Sequence, residues 1–154
     1  MVRDRLAALG LQLPQASGPG GAYAPFVLSP SGTLYIAGQI PQIAGDAQFF
    51  GRLGESATVE QGQAAAQLCA LNILAQVDVA LAGDWGRVKQ CLKLNGFIAC
   101  TPEFTQQSQV MNGASDLMLN VFGEPGRHAR TSVGVAALPR GVMVEVDATF
   151  EIAR

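Results

Sequence analysis

The segment RHARTSVGVAALPRGVMVEVD, residues 127–147, joins two β-patterned runs through a turn, with cations at its start and two carboxylates near its end. Leu138-Pro139-Arg140-Gly141 reads as the turn, since proline fixes its own φ and Gly141 accepts a positive one at little steric cost. Beyond it the pattern has a period of two. Val142, Val144, Val146, Ala148, Phe150 and Ile152 fall on one face, and Met143, Glu145, Asp147, Thr149 and Glu151 on the other. This predicts a strand with a core face and an acidic face. Read as an antiparallel hairpin, the segment brings the region around Glu145 back toward Arg130, in a register that the sequence leaves open. Two readings of a guanidinium beside a carboxylate then stand side by side. One is a structural or solvated ion pair. The other is a site for a small acid, in which the arginine fork holds the ligand's carboxylate and the glutamate orients or deprotonates a water.

Working outward from this segment, Val110, Met111, Ala114, Leu117, Met118 and Val121 recur with helical spacing, which predicts a helix over 108–122 ended by Gly123. Asn112 is its notable polar residue. A strand is expected over 88–99, with Val88, Gln90, Leu92, Leu94 and Gly96 alternating against Lys89, Cys91, Lys93 and Asn95, and stopped before Pro102. Thr58-Val59-Glu60-Gln61 has capping-box spacing and opens a long helix reaching about Leu81. Its expected buried stripe is Ala64, Leu68, Leu71 and Ala75, widened by Ala65, Cys69 and Ile73. The glutamines and asparagine along that helix argue against a membrane span. Residues 40–54 read as a long loop or irregular extra strand, with the Phe49-Phe50 pair as a core anchor or a lid. Tyr23–Leu28 and Thr33–Gln39 read as a hairpin around Ser29-Pro30-Ser31-Gly32, and Tyr35 as a packing residue. The glycine-rich run 14–21 suits a cleft wall or a connector. A short helix over 2–9, stopped by Gly10, is placed over a sheet edge, and Trp85 is expected to plug a helix–strand corner.

These motifs together resemble the RidA/YjgF family, also called the endoribonuclease L-PSP family. The carboxy-terminal signature is carried by Arg130, Val133, Val135, Leu138-Pro139 and Val144-Glu145-Val146-Asp147-Ala148. Upstream, Gly21-Ala22-Tyr23, the strand Leu34-Tyr35-Ile36-Ala37-Gly38-Gln39-Ile40-Pro41, and Asn112 follow in the family's order. The resemblance implies an α+β, chorismate-mutase-like single domain over residues 1–154, with 1–17 as an amino-terminal extension and a mixed β-sheet packed on one face by two helices. It further implies a homotrimer with ligand clefts between neighbouring subunits, and cofactor-free hydrolysis of reactive 2-imino acids to 2-keto acids and ammonia. Arg130 would clamp the substrate carboxylate and Glu145 position the water, with Tyr23, Ala37, Gly38, Asn112, His128 and Ser132 shaping the cleft. Ala37, His128 and Ser132 depart from the usual family residues. These changes motivate the alternative, a non-catalytic trimeric module binding small carboxylates or partner proteins, while the amino-terminal extension and the insertion after Pro41 resemble a longer branch of the family. Ribonuclease activity comes third.

Composition bounds these expectations. The chain has 154 residues, enough for one self-sufficient core. Charged residues make up 14%, below the roughly 25% usual for globular chains, so part of the surface is expected to be covered by partners. A formal charge of −2 without a Lys/Arg run argues against a nucleic-acid footprint. Cys69, Cys91 and Cys100 lack CxxC spacing and read as buried, reduced thiols. His128 is the single histidine, so no imidazole-based zinc site can form, and no phosphate-binding glycine motif occurs. The start of the chain shows no apolar signal core, which makes the cytoplasm the default expectation.

Overall fold

The computed structural model describes residues 1–154. Helix α2 (Val59–Ala80) opens as the capping box predicts: the Thr58 side chain accepts from the Gln61 amide, and the Gln61 side chain accepts from the Thr58 amide. Helix α3 (Gln107–Phe122) buries all six of its periodic apolar positions, and Gly123 ends it at φ 70. The two helices pack closely together, and a Cβ on Gly113 would collide with the Gln63 carbonyl. The backbones meet there because glycine removes the obstruction.

The helices cover one face of a five-stranded sheet made from β1 (Phe26–Leu28), β2 (Thr33–Gln39), β5 (Val88–Ala99), β6 (Ala129–Val135) and β7 (Val144–Ile152), in the order β1-β2-β7-β5-β6. Within residues 40–54, β3 (Gln42–Ile43) and β4 (Asp46–Ala47) form a separate small ribbon. The β1–β2 hairpin turns where Ser29–Gly32 predicts it. On β7, Val144, Val146, Ala148, Phe150 and Ile152 are all buried. Met143, expected on the acidic face, is buried as well.

Residues 127–147 do not form a hairpin. Strand β5 lies between β6 and β7, paired parallel with the first and antiparallel with the second. The physical reason is the helix between β5 and β6: a strand–helix–strand unit returns the chain parallel to its starting strand, so β6 takes one edge of β5 and β7 the other. The turn itself forms, with Arg140 at φ 60 and Gly141 at φ 75, but it belongs to a longer connection that passes the end of β5.

Two periodicities shift. A register break between Cys91 and Lys93 changes the phase of β5, so that Cys91 and Leu94 are both buried and Leu92 is exposed. On α2, Ala64 is exposed and Leu68 half-buried, while Ala65, Ala66, Cys69, Ala70, Ile73 and Val77 are fully buried. The sheet and α3 cover much of this helix, and loops cover more of it. Asn72 donates to the carbonyls of Ile40 and Gln42 at 3.1 and 3.0 Å, and Gln76 donates to that of Ser17 at 2.8 Å. Two of the amides that disfavour a membrane span, Asn72 and Gln76, are loop anchors, and no helix is long and apolar enough to cross a membrane.

Helix α1 (Val2–Ala8) buries Val2 and Leu6. It packs on the helical layer rather than over a sheet edge, with Arg5 donating to the Val121 carbonyl and Arg3 paired with Asp78. Phe49 packs against the core and Phe50 is exposed. Trp85 meets Phe122, which contacts Phe150 edge-on. The three cysteines are free and buried. The opposite sheet face has no covering layer. Cross-strand register places Val27, Tyr35, Thr149 and Lys93 in one row, Asp147, Asn95 and Thr131 in a second, and Glu145, Phe97 and Val133 in a third. Tyr35 is 52% exposed there.

Candidate functional site

Glu145 is carried by β7 between the buried Val144 and Val146, so alternation alone points it to the uncovered side. Opposite it, β2 loses register with β7 between Ile36 and Gln39. The irregular pair Ala37-Gly38 lies at this break, and a Cβ on Gly38 would strike the Glu145 carboxylate. Glycine therefore lets the carboxylate lie flat against the strand. Both residues line a cavity of about 580 Å³, walled also by Tyr23, by the glycine-rich run 17–20 and by Arg140. The Tyr23 hydroxyl accepts from the Gly20 amide at 3.1 Å, which folds that run over the cavity. The Glu145 carboxylate has no hydrogen-bond or ion-pair partner within the chain. Burial, and then the neighbouring Asp147 charge, raise its pKa above the usual carboxylate value.

Arg130 faces the other way. It lies on the helix side of β6, where α3 presents Ser108, Asn112 and Ser115 at positions i, i+4 and i+7. One terminal nitrogen, Nη1, donates to Asn112 Oδ1 at 2.9 Å and Ser115 Oγ at 3.1 Å. The other, Nη2, donates to the Ser108 carbonyl at 3.2 Å and its hydroxyl at 2.6 Å. All four acceptors are neutral, so the guanidinium is held in place without being neutralised.

His128 completes this mount. Its Nδ1 lies 2.7 Å from the Gly126 carbonyl and must carry the proton, and its Nε2 lies 2.9 Å from Ser115 Oγ. Burial first, with a smaller contribution from the Arg130 charge, lowers its pKa and favours the neutral ring. Nε2 therefore accepts from the Ser115 hydroxyl, which itself accepts from Arg130. Ser132, two residues beyond Arg130 on the same strand, keeps a buried Oγ without a partner.

The eight expected site residues thus divide into two groups within one chain. Tyr23, Ala37, Gly38 and Glu145 share one cavity, while Asn112, His128, Arg130 and Ser132 lie along the α3–β6 edge. Glu145 and Arg130 stand on strands separated by β5 and on opposite sheet faces, so they are not the ion pair that a hairpin would make. Ser108 and Ser115 escape a reading centred on Asn112, although the polar i, i+4, i+7 stripe of α3 could have found them. Arg140 read as a turn residue alone. No three His, Cys, Asp or Glu side chains converge to hold a metal ion.

A mixed sheet with two helices on one face, a mounted arginine at one edge and a half-buried glutamate on the uncovered side defines an α+β protein of chorismate-mutase-like fold. The family model described as "YjgF/chorismate mutase-like, putative endoribonuclease" matches residues 3–149, and the chain belongs to this family. Protein TCP17 of Trypanosoma cruzi is 50% identical over 152 residues, covering 98% of this chain and 94% of that protein. Among solved structures, Atu1372 of Agrobacterium tumefaciens, a protein of unknown function, is 46% identical with a TM-score of 0.92, covering 99% of this chain and 94% of that one. A "putative endoribonuclease" from Shewanella oneidensis is 34% identical with a TM-score of 0.93, covering 98% and 99%.

Proposed function

We propose that this protein is a cofactor-free hydrolytic deaminase of small 2-imino acids, working as a homotrimer whose cleft joins the Arg130 edge of one copy to the Glu145 cavity of the next. The observation that carries this reading is the Arg130 mount: a cation fixed by four neutral acceptors with no carboxylate to satisfy it. Such a group is prepared for an anion that the chain does not supply. Its Nε–H has no partner within the chain. A substrate carboxylate takes this N–H together with an Nη2–H released by Ser108, while Asn112 and Ser115 hold Nη1 in place. The open sheet face, which displays Val27, Tyr35 and Val133 beside polar neighbours, supports burial against other copies. A more distant structure, TdcF of Escherichia coli, has been solved with bound serine; it is 25% identical with a TM-score of 0.59, covering 89% of this chain and 93% of that one. Serine bears the carboxylate and 2-nitrogen that the two half-sites suit.

In the reaction, Glu145 accepts a proton from water as the oxygen bonds to the C=N carbon. The same proton passes to the nitrogen of the resulting carbinolamine. Glu145 then takes the hydroxyl proton of the carbinolamine and delivers it to the nitrogen as the C–N bond breaks, so that the C=O bond forms and ammonia and the 2-keto acid leave. A carboxylate of raised proton affinity suits this exchange, since that affinity lies nearer to that of the groups it serves. The test is release of ammonia and keto acid from 2-iminopropanoate and 2-iminobutanoate generated in situ. Turnover by wild type, lost in Arg130→Ala and Glu145→Gln, is the expected result. No acceleration by wild type over buffer overturns the deaminase. Saturable carboxylate binding without turnover would then leave the non-catalytic module.

A further inference from the structure

The Glu145 cavity is larger than a three- or four-carbon acid requires. Its volume of about 580 Å³ falls within the range that holds drug-sized ligands. The lining includes one cation, Arg140, and one carboxylate, Glu145. They form no ion pair, and no other carboxylate lies within 4.0 Å of the Arg140 head group.

Arg140 is held in place by its surroundings. It occupies the left-handed region at φ 60, a conformation with a steric cost for a residue bearing a Cβ. Its Nη1 donates to the Gly45 carbonyl at 3.0 Å, on the β3–β4 turn. The ribbon is in turn anchored by Asn72, which holds the Gln42 carbonyl. This exposed cation is thus tethered at the cavity wall by one neutral acceptor, and its other N–H groups have no hydrogen-bond partner within the chain.

We infer that the substrate is a 2-imino diacid, and that Arg140 is the specificity-determining residue that binds its distal carboxylate. This rests on the deaminase reading of the site. Arg130 from the neighbouring copy holds the carboxylate next to the imine, Glu145 addresses the imine carbon, and Arg140 takes the far end of the chain. The ribbon after Pro41 acquires a role as the support that aims Arg140.

The experiment is calorimetric binding of 2-oxoglutarate and of 2-oxobutanoate, keto acids with and without the distal carboxylate, to the full-length protein. Wild type is expected to bind the diacid on the order of tenfold more tightly, the scale of one added charge-assisted contact. Arg140→Met should bring the affinity ratio near one, and Arg140→Lys should retain part of the preference. Retention by lysine separates selection by charge from a mere loss of ribbon anchoring. Equal affinities in wild type, or a ratio that survives Arg140→Met, overturn the inference while leaving the deaminase reading intact if 2-oxobutanoate binding requires Arg130. Binding of neither keto acid overturns both.

Discussion

The two faces of the sheet are built on opposite rules. On the helix side the two buried amides of α2 have partners, since Asn72 and Gln76 donate to loop carbonyls; the exposed Thr58 and Gln61 cap each other at its start, and glycine lets α2 and α3 touch. Toward the uncovered face and the β6 edge, three charges are placed without a counter-charge. Arg130 and Arg140 meet only neutral acceptors, and Glu145 meets none. A single strand serves both regimes, because Val144 and Val146 enter the core while Glu145 between them enters the cavity. On the proposed reading, stability and ligand chemistry reside in alternate residues, and substitutions should be able to damage one without the other.

The largest effect is expected from Arg130→Ala. Losing a fixed cation should lower kcat/KM for small 2-imino acids by about 100-fold or more. Thermal stability should change little, because the residue lies on an edge strand and the acceptors it releases, on Ser108, Asn112 and Ser115, can turn to water. Steady-state kinetics and melting curves on one preparation check the separation. A large drop in melting temperature would mean that the mount is structural.

The converse substitution is Gly113→Ala. A methyl group there meets the Gln63 carbonyl, and backbone cannot move aside as a side-chain tip can. The helices must part, at a cost of roughly 2–3 kcal/mol or more. Urea denaturation should show the loss as a lower midpoint with an unchanged slope. Whatever protein remains folded should lose far less activity than Arg130→Ala does, since Gly113 faces α2 while its neighbour Asn112 holds Arg130.

Much of this architecture was legible from one-dimensional patterns. The capping box at Thr58, the apolar spacing of α3 and the alternation along β7 are local signals, and each element forms where its signal lies. Pairing is another matter. The connection from Val135 to Val144 is longer than the roughly two to five residues of a hairpin loop, and the helix preceding β6 favours a parallel partner. Both cues were present but are weaker than the adjacency of two β-patterned runs. The candidate residues could be named singly because arginine, glutamate and asparagine bear chemistry wherever they stand. Their division into two groups depends on strand order, and the importance of Arg140 depends on a ribbon nearly a hundred positions earlier in the chain.

Gly38→Ala should act between these extremes. The new methyl group meets the tip of a flexible side chain, so Glu145 can swing away and folding should be nearly unaffected. The displaced carboxylate no longer lies along the strand. A loss of about tenfold in kcat with little change in KM is expected, since misplacing a catalytic group by an ångström costs on that scale or more. A matching fall in melting temperature would show that the Gly38–Glu145 contact belongs to the packed face instead.

The smallest effect distinguishes the two faces by sign. Glu145 titrates above its ordinary value in the folded chain, mainly through burial and then through Asp147. A carboxyl group raised in this way favours folding while it is protonated and loses that advantage as pH climbs from its unfolded value through the folded one. Above the folded-state value the ionised group opposes folding, so Glu145→Gln should raise the melting temperature at alkaline pH while abolishing turnover. Near pH 4, where the wild-type carboxyl is protonated, the gain should vanish. Core polar residues behave oppositely: removing Asn72 or Gln76 leaves loop carbonyls unpaired and should lower stability at every pH. A glutamate whose removal stabilises the fold is retained for a reason other than the fold, and the pH at which the gain appears reports the carboxylate's affinity for the proton it would move.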